Sequence, residues 1–79
     1  MAKLPTDISG REARAALERA GFVFRRQTGS HMILRRDHPY ARAVVPDHQT
    51  LRPGTLRRII SDAELTVEQF LQLSGRKAE

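Results

Sequence analysis

Apolar and polar positions repeat with two different periods along this chain, and the switches between them outline a fold. After Ser9 the residues Ala13, Ala16, Leu17 and Ala20 recur at the spacing of one helical face. Ser9 followed three positions later by Glu12 predicts a capping box at the start of that helix, and Gly21 supplies its stop. From Phe22 the period shortens to two. Phe22 and Phe24 fall on one side of a first predicted strand that runs to Gln27, with Val23, Arg25 and Gln27 on the other. Met32 and Leu34 continue the apolar side in a second strand, while His31, Ile33 and Arg35 share the opposite one. Asp37-His38-Pro39-Tyr40 reads as a turn, and a third strand, Ala41 to Val45, ends at Pro46.

The helical period then returns. Leu56, Ile59 and Ile60 lie at core spacing in a helix opening near Pro53 or Gly54. Val67, Phe70, Leu71 and Leu73 line a short final helix, with Thr66 and Gln69 as a second capping box and Ser74-Gly75 as its end. Turns this short between strands predict an antiparallel meander. The expected class is therefore α+β, ordered α-β-β-β-α with an added C-terminal turn of helix, its three-stranded antiparallel sheet covered by helices on one face. The other face is left to solvent, substrate or partner. Met1 to Asp7 and Arg76 to Glu79 show no period and are expected as loose ends of a single domain, 1–79, with its core at about residues 9–73.

Composition narrows the partners. A chain of 79 residues buries only about 60% of the surface it exposes when unfolded, so a partner would help stabilise it. No apolar run approaches the roughly 20 residues that span a bilayer, and no secretory leader is evident, so the expected location is cytoplasmic. Cysteine is absent, which excludes disulfides and thiolate metal sites. The net charge of +5 and pI near 11.1 favour a polyanion. Apart from Lys3 and Lys77 every cation is arginine, the planar, bidentate partner of phosphate. Arg11, Arg14, Glu18 and Arg19 on the polar side of the first helix read as a solvated charged face rather than a phosphate contact.

Candidate chemistry centres on Gly29-Ser30-His31, between the first two strands. Gly-Ser-His-Met is also the remnant of a cleaved affinity tag, but such a scar sits at the N-terminus and this one follows a helix and a strand. The glycine permits positive φ at a tight turn, and alternation projects His31 onto the open face at the first position of a strand. Histidine is the side chain able to take and give a proton near neutrality. Ser30 and His31 point to opposite faces and cannot form a nucleophilic dyad. His31, His38 and His48 lack metal-ligand spacing, so no metal or other cofactor is expected. A lone histidine on a basic sheet suits RNA cleavage by the RNA's own 2′-OH, where the protein moves protons and steadies charge on the phosphate.

The order Arg26-Gln27-Thr28-Gly29-Ser30-His31, Met32-Ile33-Leu34, Val45-Pro46-Asp47-His48, Gly54-Thr55-Leu56-Arg57-Arg58-Ile59-Ile60 and Val67-Glu68-Gln69-Phe70-Leu71 resembles the HicA family of bacterial mRNA interferase toxins, from about Ser9 to Leu71. The resemblance implies a double-stranded-RNA-binding-like fold, metal-independent cleavage of translated mRNA, and neutralisation by a cognate HicB antitoxin covering the sheet face. It places the catalytic histidine at His31, with Gly29 and Ser30 shaping its turn. His48 matches a Pro-x-His position open to three roles: acid, phosphate ligand or structural loop residue. Gly29, Ser30, Arg26, Arg35 and His48 are the expected RNA contacts. The rival expectation is a non-catalytic RNA-binding module, which needs the same basic surface but not His31.

Overall fold

The computed structural model describes residues 4–76. Three strands, β1 (Val23–Thr28), β2 (His31–Asp37) and β3 (Tyr40–Pro46), form an antiparallel sheet in the order β1-β2-β3. Helix α1 (Gly10–Arg19) precedes the sheet, and α2 (Pro53–Asp62) and α3 (Val67–Leu73) follow it. This is the α+β order that the periodicity predicts. Two-residue turns join the strands, Thr28 pairing with His31 and Asp37 with Tyr40.

One face of the sheet carries the core. Met32, Leu34, Ala41, Ala43 and Val45 are buried there with Phe22, against Ala13, Ala16 and Leu17 of α1, Leu56, Ile59 and Ile60 of α2, and Phe70 and Leu71 of α3. The small alanines of β3 let the helices come close. Gly10 shows how close: it is buried at the first turn of α1, its N–H donates to the His48 carbonyl at 2.8 Å, and a Cβ would overlap the Pro46 carbonyl oxygen. Glycine is required there by proximity, not by φ.

Four expectations are corrected. The lead-in is not loose, because Leu4 and Ile8 join the core and the Ile8 carbonyl accepts the Leu51 N–H at 2.8 Å; Met1 to Lys3 lie outside the described residues. Nor is Arg76 frayed. Its guanidinium bonds Glu12 at 2.6 and 2.9 Å and Asp7 at 2.9 Å, and these hydrogen bonds, Glu12 foremost, raise its already high pKa against a smaller loss from burial. Residues 77–79 lie outside the described residues. That ion pair explains the third correction: Ser9 accepts the Glu12 N–H at 3.0 Å, but the Glu12 carboxylate goes to Arg76, so the box is only half made. At Thr66 and Gln69 both halves are present.

The fourth correction concerns β1. Pairing steps from Phe24 with Leu34 to Arg26 with Ile33, leaving Arg25 as a β-bulge. Strict alternation would send Val23, Arg25 and Gln27 to the open face. The extra residue shifts the phase, so Arg26 and Thr28 stand opposite the outward Ile33 and His31, and Gln27 stands opposite the inward Met32.

Candidate functional site

The β1–β2 turn builds the position of His31. Gly29 takes φ +59° while Ser30 has no positive φ, as a type II′ turn requires. This two-residue connection makes His31 the first residue of β2, paired with Thr28 on one side and Pro46 on the other. The Asp47 N–H donates to the Ser30 carbonyl at 2.6 Å, tying the turn to the chain that leaves β3. His31 is held by backbone on both flanks, and its imidazole is exposed.

His48 arrives at the same end of the sheet. Its N–H donates to Pro46 at 2.9 Å and its carbonyl receives the Gly10 N–H, so its main chain joins β3 to α1 while its side chain is exposed. Two shallow cavities border it, one with Ser9, Arg11 and Asp47, the other with Thr50, Arg52 and Thr55.

Next to His31 along β2 the outward residues are Ile33 and Arg35. They form part of an open groove of about 350 Å³ with Arg25, Arg26, Tyr40 and Arg42. Arg35 Nε donates to Asp37 at 2.9 Å. Among the described residues Arg25, Arg26 and Arg42 make no ion pair with a carboxylate. Of the residues expected to contact RNA, Arg26 and Arg35 therefore share one groove beside His31, Gly29 and Ser30 shape the adjoining turn, and His48 lies outside the groove. Tyr40 and Arg42 were missed. Alternation in the third strand carried their signal, since Ala41, Ala43 and Val45 face the core and the residues between them must face out.

The remaining arginines of the sheet and α1 are engaged elsewhere. Arg14 stacks on Phe24 at 4.0 Å and Arg36 on Phe22 at 4.8 Å. Arg19 donates to the Leu73 carbonyl at 2.6 Å, and Arg11 pairs with Asp47 at 3.3 Å. The polar side of α1 thus carries tethers, while Arg11, Glu18 and Arg19 stay exposed as a solvated charged face. Among the described residues no three His, Asp or Glu side chains gather closely enough to hold a metal ion, and no helix is long and apolar enough to cross a membrane.

Fold and site together define a small, basic α+β protein whose sheet has one covered face and one open, arginine-rich face bearing a histidine at its edge. The chain belongs to the HicA toxin family of bacterial toxin-antitoxin systems: the family model, HicA toxin of bacterial toxin-antitoxin, matches residues 10–65. That span holds α1, the whole sheet and α2. Comparison with curated proteins finds no match.

Proposed function

We propose that this HicA-family toxin is a metal-independent endoribonuclease that cuts mRNA, with His31 as general acid/base, and that a HicB-type antitoxin silences it by covering the open sheet face. The observation that carries the reading is the placement of an exposed imidazole, fixed by backbone pairing on both sides, at the edge of an arginine groove. His31 accepts the 2′-OH proton as the 2′-oxygen forms a bond to the adjacent phosphorus. The bond from phosphorus to the 5′-oxygen breaks and the leaving oxygen takes up a proton, so protons balance and no water is consumed. The products of that step are a 2′,3′-cyclic phosphate and a 5′-hydroxyl. Arg26 and Arg35 contact the RNA backbone, and Gly29 and Ser30 hold the turn. His48 stands where it can approach the same RNA without belonging to the groove.

Apolar surface on the same face suits the antitoxin. Val23 and Tyr40 are 57% and 63% exposed, and Ile33 and Val44 are half-buried beside them.

The test is incubation of purified protein with single-stranded RNA in EDTA. Wild type is expected to release fragments ending in cyclic phosphate, and His31→Ala to release them at least about 10²-fold more slowly. Cleavage that EDTA abolishes, or that His31→Ala retains at the wild-type rate, rejects the reading. One observation favours the non-catalytic alternative: the arginine groove could bind RNA unaided by His31. Under that alternative, RNA is retained by wild type but never cut.

A further inference from the structure

We infer that the groove of Arg25, Arg26, Arg35, Arg42, Ile33 and Tyr40 is a subsite for single-stranded RNA, holding nucleotides that flank the scissile phosphate at His31. This rests on the proposed RNA cleavage. Its first support is alignment. His31, Ile33 and Arg35 are successive outward positions of β2, and at about 3.3 Å per residue the strand carries a path of roughly 13 Å from imidazole to guanidinium. An extended strand with one phosphate at His31 reaches the groove within a few nucleotides.

Charge is the second support. The bulge at Arg25 turns what alternation would separate into two adjacent arginines lining one groove. Arg42 stands opposite Arg35 across the β2–β3 pair. Like charges placed face to face on neighbouring strands are unfavourable unless an anion comes between them, and Asp37 is bonded to Arg35 alone. Phosphates supply the missing charge.

The third support is the apolar floor. Tyr40 is 63% exposed at one end of the groove, and Ile33, paired with Arg26, lines it at the end nearer His31. An exposed aromatic ring among guanidinium planes is a stacking platform for unpaired bases, whereas a duplex keeps its base faces inside.

Binding is read on the His31→Ala protein, which keeps the RNA intact, by anisotropy of a fluorescein-labelled single-stranded oligoribonucleotide of mixed sequence. Adding Arg25→Gln or Arg42→Gln is expected to weaken binding and to lower the slope of log affinity against log salt by about 0.7 each. Tyr40→Ala is expected to weaken it by roughly tenfold, and Tyr40→Phe to restore it. All of these side chains are exposed, and unchanged circular dichroism verifies the fold. Unchanged affinity and slope in the arginine variants overturn the subsite, as does equal affinity for the same sequence as a duplex. Loss of antitoxin capture with RNA affinity intact also overturns it, making the groove a protein-docking surface. Cleavage by wild type is scored separately, so a failed subsite and a failed nuclease reading give different results.

Discussion

On the helix side of the sheet, arginine serves as packing material, while on the open side the same residue type is left to meet something else. Arg36 lies with its side chain only 14% exposed, its guanidinium over Phe22 and its Nε bonded to the Pro39 carbonyl at 2.9 Å. Arg14 covers Phe24 and meets Glu18 at 3.4 Å. Such stems bury apolar area, and their charged heads find partners because burial without one is costly. Across the sheet, Arg25, Arg26 and Arg42 are exposed and line a groove with little opposing charge. A net charge of +5 therefore overstates the basicity of one face and understates that of the other. What marks a surface for a polyanion is the cation without an internal partner, not the cation count.

Substitutions on the two faces should separate activity from stability. The largest effect is expected at His31: His31→Ala should lower RNA cleavage by about 10²–10⁴-fold, the range for a lost acid/base group, with little change in the unfolding midpoint. Three positions further on, Leu34 points the other way and is 0% exposed. Leu34→Ala should cost about 2–5 kcal/mol in denaturant unfolding, while Ile33→Ala, on the open face, should cost distinctly less. If the two cost the same, the assignment of faces is wrong. Gly29→Ala forces a side chain into φ +59° and should cost about 1–2 kcal/mol although nothing lies within 4 Å of its Cβ. Cleavage should fall with it, since the turn aims His31. The smallest effect is expected at Arg76→Gln. Its ion pairs are partly exposed, so the loss should be no more than about 1 kcal/mol and should shrink as salt is added to the unfolding buffer. A loss independent of salt would show that the tether acts through packing.

Much of this was legible in the chain itself. Element order, the Thr66 capping box, the two-residue turn at Gly29-Ser30 and the outward direction of His31 all depend on residues close in sequence. Long-range partners were not legible. Glu12 looks like half of a local box until Arg76, distant in sequence, claims its carboxylate. Leu4 looks like part of a tail until the core reaches it. The bulge is the instructive case for the site. Nothing in Phe24-Arg25-Arg26-Gln27 shows that one residue will be left unpaired, yet that residue decides that Arg26 faces outward and Gln27 does not.

The sequence by itself determined the periods, the caps, the turn glycine and the placing of a histidine at a strand's first position, because each is a matter of local backbone geometry and side-chain type. Only the tertiary structure decided which arginines remain available. Every guanidinium has the same chemistry in the chain, and what separates Arg36 from Arg42 is whether folding brings an aromatic ring, a carbonyl or a carboxylate within reach.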